Sequence, residues 1–215
     1  MTKPYYQDEH VILYHGDCRE ILPRITTSDF LVTDPPYGMA LRSGRNGEHG
    51  DLRIAGDEDT TLRDWILSRW GDKPALVFGR WSIARPANTR MVLTWDKGEH
   101  VGMGDLSLPW KPLTEEIYVL GKGFVGHRGS SVLKFNAPPP AKCQGRSHPT
   151  EKPVALMREL IGKCPGAILD PFAGSGSTLV AAADLNRKAI GIEIEERYCE
   201  IAARRLASRT ENLFK

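Results

Sequence analysis

The sequence predicts an α/β protein built on an open, mostly parallel sheet with helices on both faces. Three observations predict it. Short apolar runs, partly β-branched, alternate along the chain with segments of helical spacing. Two of those runs end directly in a carboxylate, Asp34 and Asp170. A glycine turn, Gly174-Ser175-Gly176, joins the second run to a helix of small residues. Alternating strands and helices imply parallel strands with right-handed crossovers, and such sheets bind ligands at the carboxyl ends of their strands.

Taken in order, Val11–His15 reads as a strand that stops at Gly16-Asp17-Cys18. Arg19–Leu22 then starts a short helix closed by Pro23, and Asp17 suits its N-cap. Phe30-Leu31-Val32 is a buried strand. Residues 38–61 are polar and glycine-rich, a length of loop that is functional or disordered in a compact domain, and they read as a mobile lid. Leu62, Trp65, Ile66, Arg69 and Trp70 have helical spacing that Gly71 ends, with both tryptophans expected in the core. Ala75–Phe78, Met91–Trp95, Glu116–Leu120 and Val132–Phe135 read as strands, and Trp110 between them as a packing residue. Ala137–Lys152 is irregular around Pro138, Pro139 and Pro140. Helix Val154–Ile161, strand Ala167–Asp170, helix Thr178–Leu185, strand Ala189–Ile194 and helix Arg197–Leu206 complete the chain.

At 40% hydrophobic and 26% charged, the 215 residues form a single domain large enough to need no disulfides. Cys18, Cys143, Cys164 and Cys199 lack metal-ligand spacing, so they are expected to be reduced thiols and no metal site is expected. With no signal-like amino terminus and no membrane-length apolar run, a cytoplasmic protein is expected.

The loop after Asp170 selects among nucleotides. Pro171-Phe172-Ala173-Gly174-Ser175-Gly176-Ser177 delivers a ligand to a helix start. A dinucleotide fingerprint needs a third glycine where Leu179 stands, and no Gly-Lys-Ser/Thr is present. What remains is Asp170 before the turn and Glu193 at the end of the next strand. Asp170 can face a cation and Glu193 can accept ribose hydroxyls. S-adenosylmethionine carries both features. Upstream, Asp34-Pro35-Pro36-Tyr37 is a stiff turn with one carboxylate, free carbonyls and a ring, suited to a planar amine.

With both stretches quoted, the chain resembles the DNA amino-methyltransferases that carry an Asp-Pro-Pro-Tyr motif. Because that motif precedes the cofactor loop, it resembles their permuted beta group, which modifies adenine N6 or cytosine N4. Gly16-Asp17-Cys18, Trp95-Asp96-Lys97 and His148-Pro149-Thr150-Glu151-Lys152-Pro153 also resemble family segments. The resemblance implies a Rossmann-like methyltransferase fold, with Asp34, Pro35, Pro36 and Tyr37 catalytic. It implies S-adenosylmethionine held by Asp17, Cys18, Asp34, Lys152 and Asp170, by Phe172 to Ser177, and by Glu193. It further implies a flipped base stacked on Tyr37.

Residues 121–150 contain Lys122, Arg128, Lys134, Lys142 and Arg146 and no acidic residue, while the whole chain is only +2. This segment is expected to be a small DNA-recognition region, joined by Arg42 and Arg45 of the lid. So small a footprint suggests a homodimer on duplex DNA. Adenine N6 is the expected target because a serine in place of Asp34 would have favoured cytosine N4. Cytosine N4 methylation and a catalytically degenerate DNA-binding module are the alternatives.

Overall fold

In a computed structural model, the described residues are 3–25, 27–36, 59–99, 101, 104, 106–138 and 151–212. Among the described residues, nine strands form one sheet in the order β1-β2-β9-β8-β3-β4-β6-β5-β7. The strands are β1 (Tyr6–Gln7), β2 (Val11–His15), β3 (Phe30–Thr33), β4 (Ala75–Gly79), β5 (Met91–Asp96), β6 (Thr114–Leu120), β7 (Val132–Lys134), β8 (Ile168–Asp170) and β9 (Ala189–Glu193). The helices are α1 (Cys18–Ile21), α2 (Thr61–Trp70), α3 (Val154–Ile161), α4 (Ser177–Asp184) and α5 (Glu196–Asn212). The sheet is mostly parallel, as expected. β1 pairs antiparallel with β2, and β6 runs antiparallel between β4 and β5.

Strand periodicity builds two cores. Phe30 and Val32 face one way with Leu76, Phe78 and Ile117, where α3, α4 and α5 cover them. Leu31 faces the other way with Ala75, Val77 and Tyr118, against α1 and α2. Residues one apart on a strand point to opposite faces, so a strand buried on both sides reads as an unbroken apolar run. β3 and β4 are buried at every residue.

Several boundaries move. Thr61, placed in the glycine-rich loop, is the first residue of α2, and its amide donates to Asp59 Oδ1 at 2.7 Å. The last helix extends to Asn212. β1 was not foreseen, because two residues are too few to show a period. Trp70 is buried and donates to the Pro74 carbonyl, while Trp65 is partly buried. Among the described residues no helix is long and apolar enough to cross a membrane.

Parallel pairing puts the ends of β2, β9, β8, β3 and β4 on one edge, in that spatial order. Asp17, Glu193, Asp170 and Asp34 are thereby in one row. The reversed β6 adds its beginning to the same edge: Thr114 pairs with Asp96 and Glu116 with Gly79.

Candidate active site

β3 and β8 are neighbours, and their last residues are tied directly. Thr33 Oγ1 donates to Asp170 Oδ1 at 2.7 Å, and the Phe172 amide donates to the same oxygen at 3.2 Å. Asp170 is 2% exposed. Burial pushes its pKa up to about 6, Asp34 nearby adds to the rise, and hydrogen bonds from Thr178, Thr33 and the Phe172 amide oppose it. A carboxylate this short of positive charge could face a cationic ligand.

The glycine turn has the expected geometry. Gly174 and Gly176 adopt φ of 51° and 83°, a region open to glycine at little cost. A Cβ on Gly176 would lie 2.8 Å from the Ala202 Cβ on α5. Leu179 is fully buried against β9, where a Cβ on Gly191 would come within 2.6 Å of its Cδ1. The close helix–strand approach that dinucleotide folds obtain from a helix glycine is obtained here from a strand glycine.

Several residues read as cofactor ligands also hold the fold. Glu193 Oε2 accepts from the Gly174 amide and Oε1 from the Glu195 amide, both at 2.8 Å. Each carboxylate oxygen retains a second lone pair for a hydroxyl. Burial moves the Glu193 pKa upward. Arg205 of α5 donates to the Ser175 carbonyl at 2.8 Å and to the hydroxyls of Ser175 and Ser177 at 3.0 and 3.4 Å. It also pairs with Glu151 at 3.0 Å, joining the chain before α3 to the glycine turn. Asp17 caps α1 by accepting from the Arg19 amide at 2.8 Å and pairs with the Arg19 guanidinium at 2.5 Å. Cys18 is buried, and burial pushes its thiol up to about 11. Ala173 is buried and Phe172 partly so.

Asp34 is partly exposed and follows β3, with Pro35 and Pro36 buried. Lys152 Nζ stands 2.6 Å from Asp34 Oδ2 and 3.1 Å from Glu115 Oε2, over the rings of Phe78 and Trp95. Lys97 reaches Glu115 from the other side at 3.3 Å. Burial works against the Lys152 ammonium, but Asp34 and Glu115 outweigh it and raise its pKa. Burial likewise works against the Glu115 carboxylate, yet Lys152 and Lys97 bring its pKa below the usual range. Sequence reasoning missed Glu115. No local signal marks it: Glu115 comes to Lys152 because β6 runs antiparallel and begins at the Asp34 edge.

The basic segment divides across the sheet. β6 runs antiparallel, so the chain leaves it at the edge away from Asp34: Leu120 pairs with Ala75, the first residue of β4. The exposed Lys122 follows there, Phe124 stacks edge-on with Phe30 at the start of β3, and the His127 carbonyl accepts from Lys163. The structure therefore does not bring Lys122 to the edge that holds Asp34, and Arg128 directly follows His127. Lys134 differs: it pairs with Asp96 at the Asp34 edge and is exposed. Trp110 is 79% exposed, contrary to the packing role expected of it, and Trp81 just past β4 is 70% exposed. Tyr37, Arg42, Arg45, Lys142 and Arg146 lie outside the described residues, as does most of the lid.

Comparison with known proteins agrees with this architecture. Residues 110–204 match the family model described as DNA methylase. YubD of Escherichia coli (strain K12), which bears the name of a methylase, is 32% identical over 90% of this chain and 88% of its own. The type II methyltransferase M2.LlaDCHI of Lactococcus lactis subsp. cremoris is 29% identical over 96% of this chain and 93% of its own. The solved PvuII DNA methyltransferase, specific for cytosine N4, superposes with a TM-score of 0.69 at 20% identity, covering 95% of this chain and 89% of that one.

Proposed function

The chain belongs to the family of DNA methyltransferases that modify adenine N6 or cytosine N4, and from that premise we propose that it methylates adenine N6 at a specific site in duplex DNA. The observation that carries this reading is the adjacency of Asp34 and Asp170 on neighbouring strands, bridged by Thr33. It sets an acceptor for an amine beside a carboxylate that suits a cation.

The methyl donor is S-adenosylmethionine. The donor set fits it: Asp170 is held protonated up to about pH 6 by burial, and Glu193 stands at the end of the next strand. Bound there, it supplies a methyl group activated by a positively charged sulfur. Asp34 and the Pro35 carbonyl accept the two N–H hydrogens of an adenine turned out of the stack. Those bonds draw the nitrogen toward the pyramidal geometry in which its lone pair can attack the methyl carbon. Asp34 then takes the surplus proton of the methylated amine and passes it to water. Positioning supplies most of the acceleration.

The DNA approaches the edge that carries Trp81, Trp110, Lys111 and Lys134. Stacking on an exposed ring is worth about 1–3 kcal/mol per base. Trp110→Ala is therefore expected to raise KM for DNA roughly tenfold, with cofactor affinity unchanged. Steady-state kinetics with labelled methyl donor checks it, and unaltered KM would remove Trp110 from the interface. A homodimer sharing the duplex follows from the small footprint; sedimentation giving a monomer both free and DNA-bound would exclude it.

Cofactor binding depends on pH through Asp170. The raised pKa means the empty fold holds this proton more tightly than the unfolded chain. Its contribution to stability is present below about pH 4 and is lost as pH rises through about 6. A cationic ligand prefers the ionised form. Affinity for S-adenosylmethionine is thus expected to fall about tenfold per unit well below pH 6, with proton release on binding near that pH. Titration calorimetry in buffers of different ionisation heat measures both. Affinity flat from pH 7 to 5 would contradict a cation facing Asp170.

The base is decided by expression in a methylation-deficient host followed by sequencing for modified bases. The expected product is N6-methyladenine at one short motif. N4-methylcytosine would instead place the chain with the PvuII enzyme, whose fold it shares.

A further inference from the structure

The buried Lys152 and the partly buried Glu115 form a pair that the methyl-transfer reading does not use. Lys152 is 7% exposed and in contact with two carboxylates at once. The contacts are unequal. Asp34 Oδ2 is at 2.6 Å, whereas Glu115 Oε2, itself buried, is at 3.1 Å. A buried carboxylate oxygen left with the longer of the two contacts favours a closer approach of the ammonium, so it offers a second place to go. Glu115 is held toward this point by Lys97 on one side and by β6 beneath it.

We infer that Lys152 is a movable counter-ion that passes from Asp34 to Glu115 when the target amine arrives, so that Glu115 is a positioning residue for methyl transfer. The inference rests on Asp34 being the acceptor of that amine. In the resting enzyme the ammonium occupies Asp34 Oδ2, in competition with an N–H of the substrate. As the nitrogen takes the methyl group it becomes positively charged, and a lysine on the same carboxylate opposes that charge at close range. A shift to Glu115 exchanges one carboxylate for another within the same pocket. The ammonium stays paired throughout, and the Phe78 and Trp95 rings beneath it serve both positions. No covalent step is added.

The test is single-turnover methyl transfer at saturating S-adenosylmethionine to DNA from a methylation-deficient host, with urea denaturation of every variant as the check of folding. Glu115→Gln removes the second berth and is expected to slow transfer at least tenfold, with cofactor affinity within twofold of the parent. Glu115→Asp keeps a carboxylate and is expected to retain most of the rate. Adding Lys152→Met to Glu115→Gln is expected to recover most of the loss, because the lysine trapped on Asp34 is gone. Full rate in Glu115→Gln, equal loss in Glu115→Asp, or a double variant slower than Glu115→Gln alone would each overturn the inference. Asp34→Ala in the same assay separates two failures. If it still methylates, the role of Asp34 itself falls; if it is inactive while Glu115→Gln runs at full rate, only the counter-ion falls.

Discussion

Asp34→Ala is expected to lower the methyl-transfer rate at saturating S-adenosylmethionine by at least about 100-fold, the loss that a misplaced reacting group brings, while the protein still folds. The side chain follows the last residue of β3 and is partly exposed, so its removal opens no cavity in the core. Two consequences are expected. The acceptor proposed for the amine is lost, and Lys152 loses its nearer partner and falls back on Glu115. The first acts on chemistry and the second on stability, which can be read separately. Rate is followed with labelled methyl donor and stability with urea denaturation. Asp34→Asn distinguishes charge from shape: it keeps one carbonyl acceptor but does not hold a cation, and should fall between the parent and alanine. Persistent methylation in Asp34→Ala would contradict the role assigned to this residue.

The largest structural effect is expected at Gly176. At φ 83° an L side chain is strained, and here its Cβ would also meet Ala202 on α5 at 2.8 Å, with Ala202 Cα only 3.2 Å away. Gly176→Ala is therefore expected to reduce stability by roughly 2–4 kcal/mol, the range of backbone strain combined with overpacking. Cofactor affinity should fall with it, because α5 also braces the turn through Arg205. A urea midpoint within error of the parent would show that the turn tolerates a side chain. Gly71 differs in both respects: no atom lies within 4 Å of an added Cβ, but its φ of 70° with ψ of −143° is harder on a side chain than the left-handed helical φ of 83° and ψ of 20° at Gly176.

The sequence made the hydrophobic architecture legible because strands buried on both faces leave unbroken apolar runs. Val11–His15 and Val154–Ile161 appear with the boundaries their patterns suggest. The row of Asp34, Asp170 and Glu193 was likewise readable, since each terminates such a run. Pairing direction was not. Glu116–Leu120 has the composition of any strand, and nothing local says that it runs backwards between β4 and β5. That reversal carries Lys122 to the far edge of the sheet and brings Glu115 to the near one. A charged stretch counted along the chain can thus look like one surface and be split by a single strand. Trp110 shows the complementary limit: a tryptophan between prolines in a loop bears no period, so its exposure could not be read from its neighbours.

The bond from Thr33 to Asp170 has a consequence in time. It joins residues 137 positions apart, so the two strands it ties emerge from the ribosome on the order of ten seconds apart at ordinary synthesis speeds. Through that interval β3 lacks the neighbour that covers one of its edges, and an apolar strand with an open edge is prone to pair with other chains. The nascent protein therefore carries the Asp34 turn, proposed to bind the amine, long before the glycine turn after β8 is made. Cells making it fast and hot are expected to lose more of it to aggregates than cells making it slowly and cool, at equal stability of the finished fold.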